Sequence, residues 1–192
     1  MYLSRDVADV LAAALRESGR LELAADGRSM YPLIRPGDAC RFAPCDASEL
    51  RKGDVALYYA ETGRLVAHRL IGTVEPDGTV VPSAPAASPS SLSSATSAAS
   101  FPPFSSPSPA RERAYLFQGD ANVSRDPPVR ADAILGKLVW VRRDGALPLP
   151  ADAFAIRLWR AALLTFPMLR LPLHRLARRA RVSSGGAAGA PL

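Results

Sequence analysis

The alternation of apolar and polar positions divides the chain into a helix, a run of short strands, a polar insert and a basic tail. Residues 4–17 read SRDVADVLAAALRE, with a serine placed to cap, early acids, apolar residues at helical spacing and a late arginine. That pattern predicts a short amphipathic helix ending near Gly19. The period then shortens: residues 20–24 alternate, residues 38–44 come after a Gly-Asp turn, residues 53–59 open an apolar run, and residues 65–74 form a hairpin arm after Thr62-Gly63. Residues 115–117 resume the strand pattern and residues 134–142 read as a closing strand. Short strands punctuated by Gly, Pro and Asp predict a mainly β fold.

Two stretches depart from it. Residues 82–113 are rich in Ala, Ser and Pro, with Leu92, Phe101 and Phe104 as their only large apolar side chains. Such a composition cannot bury enough surface to offset chain entropy, so a disordered insert between strands is expected, and its serines carry no catalytic signal. Residues 154–166 place arginines three apart on an otherwise apolar helix, and Pro167 and Pro172 are expected to break any helix beyond residue 166. The expected organisation is residues 1–22 as helix and lead-in, 23–81 with 114–145 as the β domain, 82–113 as insert, 151–182 as basic amphipathic tail, and 183–192 as a flexible end.

Charge sharpens the picture of the tail. The net charge is +6 over 192 residues. Arg157, Arg160, Arg170, Arg175, Arg178, Arg179 and Arg181 all lie after Ala153, where there is no acid, leaving 17 basic against 18 acidic residues elsewhere. A near-neutral core argues against nucleic-acid binding. The basic tail, with Trp159 and Phe166, suits either an interfacial position against anionic lipid or a helix packed on the core with its arginines solvated. Its apolar run is too short to span a bilayer, and neither a secretory signal nor a span of about 20 apolar residues precedes residue 27. A cytoplasmic or peripheral membrane location is expected. Cys40 and Cys45 lack the spacing of a zinc or redox motif and are expected to be reduced, with no metal and no cofactor.

The candidate chemistry lies in three segments. Residues 27–38, GRSMYPLIRPGD, put Ser29 in a glycine- and proline-braced turn. Residues 66–71, VAHRLI, place His68 on a strand, and residues 118–126, QGDANVSRD, form a polar loop with Asp120 and Asp126. Serine needs a base to take its proton and a third group to fix that base's tautomer. His68 is the candidate base, because His174, the other histidine, sits in the arginine-rich tail. Asp38 and Asp54, each in a Gly-Asp pair before an apolar run, read as turn residues.

Gly-x-Ser-Met-x-Pro with Gly-Asp, then His-Arg-Leu-Ile, then Gly-Asp-x-Asn with an aspartate six positions past the first, resembles the type I signal peptidase family. The closer likeness is to the endoplasmic-reticulum and archaeal-type branch, in which histidine replaces the lysine base. It covers roughly residues 23–142 without the insert. The resemblance implies a signal-peptidase- or LexA-like β core, Ser29 as nucleophile, His68 as general base, and Asp120 or Asp126 as the carboxylate, the choice staying open. Met30, Tyr31 and Pro32 would shape the substrate groove, and the partner would be a precursor peptide or preprotein.

Two departures stand out. Many members carry a serine two positions before the nucleophile, whose hydroxyl helps stabilise the oxyanion; here Gly27 stands there, leaving Arg28 or another amide for that task. The membrane-spanning helix ahead of the serine is also absent, which turns the expectation towards leader removal from a small precursor. The competing readings are a catalytically silent, membrane-peripheral peptide-binding module and a LexA-like self-cleaving regulator, although the latter would need a lysine base and a DNA-binding region ahead of the core.

Overall fold

A computed structural model describes residues 5–74, 80–81 and 113–184 of the chain. The expected insert, apart from Arg113, lies outside the described residues, as do Ser4 and residues 185–192 of the expected flexible end. The described part is mainly antiparallel β, as the short alternating segments predict.

The first element is helix α1 (Arg5–Ser18), followed by strands β1 (Leu21–Ala24), β2 (Ala39–Pro44), β3 (Val55–Ala60), β4 (Arg64–Val74) and β5 (Val80–Val81). Beyond the insert come β6 (Ala114–Gln118), β7 (Val129–Arg130), β8 (Ile134–Arg142) and β9 (Leu149–Pro150), then helices α2 (Phe154–Thr165) and α3 (Arg170–Ser184). The strands form one sheet in the order β1-β2-β8-β3-β4-β6-β7, with β5 on β4 and β9 on β8. Every pairing is antiparallel.

Side-chain alternation along β3 builds two cores. Val55 and Leu57 join Leu15, Met30, Ile34, Phe42, Leu138 and Val141, whereas Ala56 and Tyr58 join Leu70, Tyr115, Phe117 and Ile134. Helix α1 closes the first core through Leu15, which is fully buried. The sheet admits it at Gly136, where a Cβ would stand 2.8 Å from Leu15 Cδ2 and 2.5 Å from Ala43 O.

Two turns share the sequence Arg-x-Gly-Asp and the same construction. Gly37 and Gly53 hold φ of 88° and 93°, a region open to glycine without steric cost. Asp38 accepts the Arg35 amide at 2.9 Å, and Asp54 accepts the Arg51 amide at 2.9 Å. Each buried carboxylate also meets a cation from the β8 region, Arg143 for Asp38 and Lys137 for Asp54. Both aspartates are therefore turn residues. The first of these turns fixes the segment that carries Ser29.

The tail corrects one expectation. Pro172 does not break the helix, because it lies in the first turn of α3, where a missing amide hydrogen is no loss. Pro167 does interrupt, opening a single 3₁₀ turn (Pro167–Leu169) between the two helices. Cys40 is buried and Cys45 half-buried, and both are free. Among the described residues no helix is long and apolar enough to cross a membrane.

Candidate active site

Ser29 sits in the loop between β1 and β2, in a turn closed by Tyr31 N–H to Arg28 O at 3.1 Å and by Ile34 N–H to Met30 O at 3.0 Å. The Tyr31-Pro32 peptide is cis. Met30 points into the first core at 3% exposure. The expectation that Met30 lines a substrate groove is thereby corrected: its apolar side chain anchors the turn from below. Tyr31 and Pro32 stay half-exposed beside the serine, and the Arg35 guanidinium lies 5.6 Å from the centre of the Tyr31 ring.

His68 lies on β4 opposite Ala56 of β3. Its Nε2 is 2.8 Å from Ser29 Oγ, and its Nδ1 is 2.6 Å from Asp126 Oδ2. With the ring neutral and Nδ1 protonated, Nδ1 donates to the carboxylate while Nε2 accepts from the serine hydroxyl. Asp126 is held in turn by its amide, bonded to Phe117 O at 3.0 Å, and by the Tyr58 hydroxyl, which donates to Oδ2 at 2.8 Å. Burial, followed by the charge of Asp126, pushes the Tyr58 phenol well above its ordinary value, so Tyr58 remains a donor. Its ring stacks on Phe117 with centres 4.6 Å apart.

The open choice between the two aspartates is decided by strand geometry. Consecutive residues of a strand face opposite sides, so His68 and Arg69 diverge. Asp126 meets His68, and Asp120 meets Arg69 in a two-pronged ion pair at 2.7 and 2.6 Å. Asp120 is fully buried and also accepts the Trp159 indole N–H at 3.0 Å. Asp120 is therefore not the carboxylate behind His68.

The same loop grips the serine's backbone. Ala121 N–H donates to Ser29 O at 2.7 Å, an approach permitted by Gly119, where a Cβ would lie 2.7 Å from that oxygen. Among the described residues the Ser29 amide donates to no backbone acceptor. Gly27 supplies no hydroxyl beside it; a Cβ there would have Ser29 Oγ at 3.9 Å as its nearest neighbour.

Tyr58, Arg69 and Trp159 are supporting residues that the motifs alone do not single out. Tyr58 had a signal. It lies two residues beyond Ala56, the residue opposite His68, and so is the diagonal, same-face neighbour of His68 on the paired antiparallel strands. No cluster of His, Cys, Asp and Glu able to hold a metal ion occurs among the described residues.

Comparison with protein-family models and with curated protein sequences returns no match. The functional reading therefore rests on the geometry of the site.

Proposed function

We propose that the protein is a serine endopeptidase of the signal peptidase type, removing a signal or leader peptide from a precursor. The observation that carries this reading is the continuous relay from Ser29 Oγ through the His68 ring to Asp126, with contacts of 2.8 and 2.6 Å. His68 takes the Ser29 proton as the oxygen attacks the scissile carbonyl, and Asp126 stabilises the imidazolium that forms. The oxyanion faces the Ser29 amide. His68 then gives its proton to the leaving amine, and a water, deprotonated by the same ring, releases the acyl group from Ser29.

The tail supports a peripheral position on a membrane. Trp159 and Arg160 face the β domain, Arg160 reaching Asp54 at 3.6 Å, and Arg170 is buried, so these arginines are withdrawn from the expected lipid contacts. Arg157, Arg175, Arg178 and Arg179 remain exposed, while the Arg181 side chain lies outside those described. In the same tail Phe154, Leu158, Phe166, Met168 and Leu171 are open to solvent, Phe154 at 79% and Met168 at 76%. Exposed large apolar groups beside cations match an interface with anionic lipid.

The test is incubation with candidate precursors read by mass spectrometry, alongside labelling with a fluorophosphonate. Cleavage and labelling at Ser29, both lost in Ser29→Ala, are expected. A folded wild-type protein that neither cleaves nor labels would be a silent binding module.

A further inference from the structure

Arg170 begins α3 at the corner where the tail turns back on the sheet. It is 5% exposed, yet its Nε and one terminal nitrogen, Nη2, have no hydrogen-bond partner among the described residues. Its remaining nitrogen reaches only Leu163 O, at 3.4 Å. Burial holds the group below the ordinary arginine range, against a favourable contribution from Asp120. Asp120 gives it no direct bond; its carboxylate pairs with Arg69 and Trp159 instead. A guanidinium removed from water with no carboxylate bonded to it is strongly disfavoured. A buried fork of donors with nothing to grip is a binding group awaiting its acceptor.

The surroundings define that acceptor. Arg170 lines a cavity of 260 Å³ together with Lys52, Arg125 and Gln118, and the remaining wall includes Ile71, Leu116, Leu163 and Leu164. Among the described residues, three cations and no acid border it. The Asp120 carboxylate, whose charge favours Arg170, is itself paired with Arg69. The Gln118 amide is engaged in holding the loop, donating to Asn122 O and Val123 O at 3.0 Å each. The cationic groups thus favour a carboxylate or phosphate, and the aliphatic wall offers a place for a short hydrocarbon portion of the same molecule.

We propose that this cavity binds an anionic group, phosphate or carboxylate, carried on a small apolar body. The site is separate from the Ser29 relay, although Arg125 immediately precedes Asp126 in the same loop. The inference is independent of the peptidase reading.

Isothermal titration calorimetry on the full chain tests it with inorganic phosphate, octyl phosphate and octanol. Saturable one-to-one binding of octyl phosphate, weakened by rising salt, is expected, with octanol not binding. If inorganic phosphate binds as tightly, the ligand class is a free polar anion; if octyl phosphate binds at least about tenfold tighter, the apolar wall is used and the class is an amphiphile. The second result supports the proposal; the first keeps the anion site but overturns the apolar body. Arg170→Met should weaken octyl phosphate by about tenfold or more. Should Arg170→Met fail to fold, Lys52→Gln with Arg125→Gln, both away from the sealed core, should weaken binding by about tenfold in a protein of unchanged circular dichroism. Absence of saturable binding, equal binding of octanol, or full affinity in the folded variants would overturn the proposal.

Discussion

The Ala121 amide donates to the Ser29 carbonyl at 2.7 Å, tying the turn that carries the hydroxyl to the loop that carries Asp126. That contact lets two segments distant in the chain hold one relay. It depends on Gly119, whose absent side chain leaves room for Ser29 O. Gly119→Ala would press a methyl group against backbone, which cannot rotate away as a flexible side chain can. A stability loss of about 1–3 kcal/mol is expected from the overpacking. The kcat of the folded fraction should fall at least about tenfold as the turn and loop separate. Urea denaturation and steady-state kinetics on the same preparation measure both.

The two loop aspartates should separate cleanly by phenotype. Asp126→Asn keeps the shape but presents an amide to Nδ1, favouring the wrong tautomer, so kcat should drop about 10⁴-fold with little change in melting temperature. Asp120→Ala should destabilise the fold by about 3–5 kcal/mol, because it strands the buried Arg69 guanidinium. Equal catalytic loss in both variants, with both fully folded, would return Asp120 to the relay.

Tyr58→Phe tests the support behind the carboxylate. The ring keeps its stack on Phe117 while Asp126 Oδ2 loses a donor. A hydrogen bond to a charged group contributes about 1.5–3 kcal/mol, so kcat should fall about tenfold or more with the fold retained. The wild-type phenol, raised far above its usual value, should leave no alkaline limb near pH 10 in the rate profile.

These outcomes bear on what the sequence alone could reveal. The helix and the strands flanking the motifs were legible, because period and turn chemistry are local properties, and Ser29 and His68 stood out through the order of the motifs, whereas the choice between Asp120 and Asp126 stayed open. That choice depends on which face of β4 each neighbour occupies, and a loop composition carries no face. Met30 looked like a groove residue beside a serine, but its burial depends on α1 and β8 meeting beneath the turn. Pro172 reads as a breaker in any window; only the start of α3 at Arg170 places it harmlessly in a first turn. The role of Trp159 needed the tail folded back on the sheet, a contact between residues 39 positions apart.

The thiols provide a pH-dependent test. Burial pushes Cys40 up to about 12 and Cys45 up to about 11, from 9.0. Native protein at pH 8 should therefore resist iodoacetamide, whereas urea-unfolded protein should take two labels, counted by mass spectrometry. With folded values raised, the unfolded chain releases its thiol protons first. Stability should then decline as pH rises through about 9 towards 11 or 12, seen as a lower urea midpoint at pH 10 than at pH 8.

Gly27→Ser asks whether the missing hydroxyl limits turnover. A Cβ at position 27 meets nothing closer than Ser29 Oγ at 3.9 Å, and the position is not in the positive-φ region, so a side chain fits without strain. In the peptidase reading the new hydroxyl would join the Ser29 amide in holding the oxyanion. One such donor contributes about 3 kcal/mol to barrier lowering when well aimed. Gly27→Ser should raise kcat at least about tenfold, while Gly27→Ala, which adds bulk without a donor, should not. If the alanine variant gains as much as the serine, the benefit lies in stiffening the turn. If neither gains, the oxyanion already has its second donor elsewhere.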